Sequence, residues 1–160
     1  MSSSPTHRAR TLDRLLHPRE QKAIVEAVRI AELNTTSELK VHVESHCRAA
    51  DPYSRAVQLL TELGLHLTEA RNGVLIYVAL HDRRFAIVGD SGIGEGAHFE
   101  LWKESNRRMS IAFRRGAFGE GIIEALRELG GRLAKRFPAL PGAGRDEVEN
   151  EISTADTADA

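Results

Sequence analysis

Two clusters of polar residues bracket the most apolar stretch of this 160-residue chain. One comprises Glu38, Arg71, Asn72, Asp90, Ser91 and Glu95. The other comprises Ser45, His46, Cys47, Asp51, His81, Asp82, Arg83 and Arg84. The first is dominated by carboxylates, an amide and a hydroxyl, the oxygen chemistry that hard cations such as calcium or magnesium select. Glu38, Asn72 and Asp90 are its candidate metal ligands, and Asp82 is the alternative ligand in the second cluster. Arg71, Arg84, Ser91 and Gly92 are candidates for holding a phosphate or another anion, in part through backbone amides next to a helix start. A plainer reading competes with both. Asn72-Gly73, Asp82-Arg83-Arg84 and Asp90-Ser91-Gly92 are good turn formers, and Glu38 beside a turn would accept backbone hydrogen bonds.

Other constellations are weaker. His46, Cys47 and His81 have zinc-binding side chains, but the chain has no Cys-x-x-Cys and no His-x-x-x-His on one helix. Neighbours on a strand point to opposite faces, which disfavours a His46–Cys47 nucleophile pair. No Gly-x-Ser-x-Gly supports a Ser/His/Asp triad. Gly92-x-Gly94-x-Gly96 has the wrong spacing for a dinucleotide loop and follows a returning strand. Phe99, Trp102, Phe113 and Phe118 recur at helical spacing, so they read as core.

The elements that must position these groups are legible from periodicity. Residues 74–80 and 85–88 are apolar on both faces, which predicts two strands in the middle of a covered sheet, joined by the polar turn at 81–84. Leu39, Val41 and Val43 alternate with Lys40, His42 and Glu44, which predicts a strand with one polar face. Pro18 opens a helix carrying Ile24, Ala27, Val28 and Ala31. Asp51-Pro52 opens another carrying Tyr53, Ala56, Val57, Leu60 and Leu63. Two more helices follow Gly96, separated by Gly116 and ended by Pro138. A right-handed crossover makes the first two strands parallel, and the third returns antiparallel. The predicted fold is a three-layer α/β/α sandwich with a mixed sheet. Its domain spans residues 17–137, between a disordered tail at 1–16 and a loop with an acidic tail at 138–160.

These directions sort the two clusters onto opposite rims. Asp82 and Asp90 stand a whole strand apart, roughly 20 Å at ~3.3 Å per residue, so one ion cannot bind both. The net charge of −1 gives no electrostatic reason to expect nucleic acid or an anionic membrane as partner. A lone cysteine, Cys47, excludes an intrachain disulfide. No secretory signal or membrane-spanning run is present, and the expectation is a soluble cytoplasmic protein without membrane insertion.

As a set, the motifs Thr36-Ser-Glu-Leu-Lys-Val-His-Val-Glu44, Asn72-Gly-Val-Leu-Ile-Tyr-Val-Ala-Leu80, Asp82-Arg83, Ile87-Val-Gly-Asp-Ser-Gly-Ile93 and Phe113-Arg-Arg-Gly-Ala-Phe-Gly-Glu-Gly-Ile122 resemble the TPM domain family. That family includes thylakoid-lumen proteins linked to photosystem II repair and many bacterial proteins. The acidic Asp146-Glu-Val-Glu-Asn-Glu-Ile152 tail resembles its short, anchor-free bacterial branch. The resemblance implies a mixed sheet with helices on both faces, divalent-cation binding with calcium as the commonest ion, and an acid-phosphatase activity attributed to plant members. Glu38, Asn72, Asp82, Arg84, Gly89 and Gly92 fall on family-like positions. Two functions stand as expectations: a calcium-stabilised module acting through a protein partner, and a metal-assisted phosphatase-like hydrolase of phosphate monoesters.

Overall fold

The computed structural model describes residues 13–140 and 152–155, with the side chains of residues 95–99 outside the described set. The expectations for residues 1–12, 141–151 and 156–160 fall outside it as well. Helix α1 (Pro18–Glu32) starts on a capping box: the His17 ring accepts the Arg19 N–H while Glu20 accepts the His17 N–H. Strand β1 (Leu39–Glu44) follows, then helix α2 (Pro52–Glu62), whose first turn is closed by Asp51 accepting the Ser54 N–H at 2.8 Å. Strands β2 (Val74–Ala79) and β3 (Arg84–Gly89) form the hairpin. Helices α3 (Glu95–Arg114) and α4 (Phe118–Arg136) follow, and a two-residue strand β4 (Ser153–Thr154) ends the order. Among the described residues no helix is long and apolar enough to cross a membrane.

The sheet runs β3-β2-β1-β4. β1 and β2 are parallel, from Leu39 opposite Val74 to Glu44 opposite Ala79, and β2 and β3 are antiparallel, from Val74 opposite Gly89 to Ala79 opposite Arg84. Alternate residues then build two cores. Leu39, Val41, Val43, Val74, Ile76 and Val78 join Ile24, Val28, Trp102, Met109, Ile122, Leu126 and Leu129 from α1, α3 and α4. Leu75, Tyr77, Ala79 and Val88 join Ala56, Leu59 and Leu60 from α2. The mixed sheet with helices on both faces is therefore as the periodicity predicts.

Four details differ. β3 is the sheet edge, with Arg84 exposed and Phe85 and Ala86 half-buried, because nothing among the described residues pairs its outer side. Helix α2 is rotated from its predicted face: Tyr53 and Val57 are 57% and 47% exposed while Arg55 is buried. Leu16, assigned to the N-terminal tail, is buried against the larger core. Within the C-terminal tail, Ile152 is buried and Ser153 and Thr154 pair parallel with His42 and Val43. Two paired residues leave no periodicity to read.

Candidate functional site

The rim where β1 and β2 begin and β3 ends is built around a strained turn. Arg71 sits at φ 53°, a conformation that a non-glycine residue holds only when its surroundings fix it. Its carbonyl accepts the Gly92 N–H at 2.6 Å, and its guanidinium donates to both oxygens of Asp90, at 2.7 and 3.2 Å. The approach leaves room only for glycine: a Cβ on Gly92 would lie 2.2 Å from the Ala70 carbonyl oxygen. Burial raises the Asp90 pKa, but the Arg71 guanidinium and the Ser91 N–H outweigh it and hold the carboxyl below its ordinary value. The amides of Ser91, Gly92, Ile93 and Gly94 donate to Asp90 Oδ1, Arg71 O, Asp90 O and Ser91 O. The amides foreseen as an anion cradle are thus engaged internally.

The segments that flank this turn carry several buried oxygens. Asn72 is fully buried; its Nδ2 donates to Thr36 Oγ1 at 2.9 Å, while its Oδ1 has no hydrogen-bond partner. Ser37 Oγ and Thr68 Oγ1 are buried in the same condition, as is His66 Nδ1. Thr68 O accepts the Arg71 N–H at 3.2 Å, and extending the β1–β2 register back by two residues sets Ser37 opposite Asn72. Glu38 is the buried carboxylate of this stretch, and its carbonyl accepts the Val74 N–H. Orphaned buried oxygens are rare in folded proteins and call for a partner. Among the described residues no three His, Cys, Asp or Glu side chains converge as metal ligands. Asn72, Ser37 and Thr68 carry neutral oxygens, and Glu38 and Asp90 are the buried carboxylates of this rim, which is oxygen chemistry of the kind hard cations select rather than the sulfur and imidazole sets of zinc. The Glu95 side chain lies outside the described set.

At the opposite rim Asp82 works as a staple. Its Oδ2 accepts the Cys47 N–H at 2.7 Å and its Oδ1 lies 2.9 Å from His46 Nδ1. These bonds hold its pKa below the ordinary value. His46 stacks on His81 with centroids 5.1 Å apart. Arg84 lies at this rim too, away from Arg71, Ser91 and Gly92, and its charge lowers the pKa of the capping Asp51 after the Ser54 bonds have done so.

Between the rims, the polar face of β1 is buried under α2. Glu44 is fully buried and accepts from four groups: His42 Nε2 at 3.1 Å, Tyr77 OH at 2.7 Å, and Arg55 through both Nε and Nη2. Burial raises the Glu44 pKa, yet the bonds from His42, Arg55 and Tyr77 prevail and hold it at about 2. Burial and the Glu44 charge push the Tyr77 phenol well above its ordinary range. On its other nitrogen, His42 Nδ1 lies 2.9 Å from Ser153 Oγ. Ser153, His42 and Glu44 thus have the connectivity of nucleophile, base and orienting acid. The Ser153 hydroxyl also reaches Val41 O at 3.2 Å, His42 is 2% exposed, and Arg55 already neutralises Glu44. These contacts make it a structural clasp. The sequence carried one signal of this network: alternating His42 and Glu44 on a strand that pairs with the all-apolar β2, where only Tyr77 offers a polar tip.

Residues 11–132 match the TPM domain family. The chain is similar to the BA42 protein of the psychrophilic bacterium Bizionia argentinensis, solved by NMR. The two share 37% identity over 88% of this chain and 95% of that one, with a TM-score of 0.80. The N-terminal domain of the cg2496 protein of Corynebacterium glutamicum shares the fold, with a TM-score of 0.52 at 14% identity over 87% of this chain and 77% of that one. No curated protein matches the chain.

Proposed function

We propose that this chain, which belongs to the TPM domain family, is a divalent-cation-binding module that acts through a protein partner. The observation that supports the reading is the trio of buried oxygens without hydrogen-bond partners, Asn72 Oδ1, Ser37 Oγ and Thr68 Oγ1, on the rim that also buries the Glu38 carboxylate. Calcium, or magnesium in its place, would be held by these groups with water filling the remaining positions. Asp90 contributes at one remove: by clamping Arg71 it fixes the turn from which Thr68 and Asn72 project. One carboxylate among neutral donors places the affinity in the weak class, a Kd of about 0.1–1 mM.

A metal-assisted phosphatase on this rim would need a cation and a donor array left for the phosphoryl oxygens. Arg71 is committed to Asp90, and the amides of residues 91–94 to internal acceptors. Binding without turnover is the better fit. Thermal melting in EDTA and in 10 mM calcium tests the reading. For a Kd of 1 mM, mass action gives ~1.4 kcal/mol of stabilisation, a rise in Tm of about 5 °C for a domain of this size. A melting temperature unmoved by calcium and by magnesium removes the cation from the account.

A further inference from the structure

β1 is paired along all six residues on its β2 side, and on its other side, among the described residues, at His42 and Val43. The contacts there are made by side chains as much as by backbone. Ser153 Oγ lies 2.9 Å from His42 Nδ1 and 3.2 Å from Val41 O, Thr154 Oγ1 donates to Val43 O at 2.8 Å, and Ile152 is buried in the larger core. His42 is prepared for this role, since Glu44 holds its Nε2 and is itself held by Arg55 and Tyr77. The edge therefore reads a short pattern: an apolar residue to bury, a hydroxyl for His42 and Val41, and a second hydroxyl for Val43. Exposed sheet edges take up added strands in this way, with the backbone giving affinity and side-chain sites giving specificity.

We propose that the outer edge of β1 is a docking site for an extended segment of another protein carrying an apolar residue followed by two hydroxyl residues, and that Ile152–Thr154 is the built-in competitor for it. The inference deepens the partner-binding part of the function proposed above and rests on it, but not on the cation. A tethered segment competes at an effective concentration of about the millimolar order, so an incoming strand must exceed that, and any loss of the tether's hold opens the edge.

The test uses the full chain carrying Ile152→Asp and Ser153→Val, which frees the tether while leaving β1 intact. The probe is a fluorescein-labelled peptide of residues 149–155, followed by fluorescence anisotropy with EDTA and with calcium. The released variant is expected to bind it at least tenfold more tightly than the parent chain. Changing the probe's serine to valine should weaken binding by at least tenfold, and calcium should change neither result. Absence of binding by a variant that still melts cooperatively overturns the proposal, as does equal binding by variant and parent. A second measurement needs no variant. Millimolar unlabelled peptide added to the parent chain should shift the NMR amide signals of Val41, Val43, Ser153 and Thr154 together; unmoved signals overturn the proposal. Failure here with a calcium-dependent melt intact removes only the docking edge. The reverse outcome removes only the cation.

Discussion

Replacing Arg55 with methionine gives the sharpest view of what holds the α2 face together. Among the described residues Arg55 contributes the guanidinium on the fully buried Glu44, through its Nε and Nη2, and it is itself buried. Methionine replaces most of that apolar volume and removes the charge. Glu44 then keeps only His42 and Tyr77, and either stays ionised without a counter-charge or takes up a proton. Breaking a buried pair in this way costs about 3–5 kcal/mol. For a domain of this size that is a fall in Tm of roughly 10–20 °C. The pH dependence should change as well. In the parent chain the Glu44 pKa of about 2 lies below the ordinary carboxylate value of 4.5, so its stabilisation is complete above that value and is lost as pH falls toward 2. In Arg55→Met the carboxyl rises, and this acid loss shrinks or reverses. Urea unfolding at pH 7, 5 and 3 reads both effects. A loss below ~1 kcal/mol at pH 7, or an acid limb identical to the parent's, would refute the claim that the guanidinium compensates a buried charge. The double variant Glu44→Leu, Arg55→Met should recover part of the loss, because apolar packing can replace an ion pair that has been removed whole.

Tyr77→Phe removes the 2.7 Å bond to Glu44 with no change of shape, and should cost about 1.5–3 kcal/mol in urea unfolding, as expected for a hydrogen bond to a charged group. Two glycine-to-alanine changes should separate sharply in Tm. Gly92→Ala drives a Cβ to 2.2 Å from the Ala70 carbonyl oxygen and should cost roughly 2–3 kcal/mol, whereas at Gly119 the obstacle is the end of the Glu20 side chain, which can swing away, leaving the change within ~1 kcal/mol.

How far the sequence could be read follows from what each feature depends on. The parallel pair and the hairpin were legible because every residue of β2 is buried, so its run of six apolar side chains carries no competing helical pattern. The helix positions on α1 and α4 were legible for the same reason: Ile24, Val28, Ile122, Leu126 and Leu133 bury one continuous stripe. Arg55 was not. Its burial depends on Glu44, eleven residues earlier, and rotates α2 away from the stripe defined by Tyr53 and Val57. β4 depends on two hydroxyls and one isoleucine in an acidic tail, a pattern that composition alone assigns to solvent. At the candidate site, residue types were legible and pairings were not. The sequence placed Glu38, Asn72 and Asp90 on one rim and Asp82 on the other. The Arg71–Asp90 clamp and the orphaned oxygens of Ser37 and Thr68 are facts of three-dimensional placement.

The proposed cation binding at the rim beside Arg71 rests on the unpartnered oxygens of Ser37, Thr68 and Asn72. Thr68→Val combined with Ser37→Ala tests it most directly, because removing buried oxygens that lack partners acts in opposite directions with and without the ion. In EDTA the double variant should melt at the parent's temperature or above it. In 10 mM calcium the parent should gain about 5 °C and the variant less than half of that. Equal calcium responses in the two proteins, or a variant that melts several degrees lower in EDTA, would contradict the account.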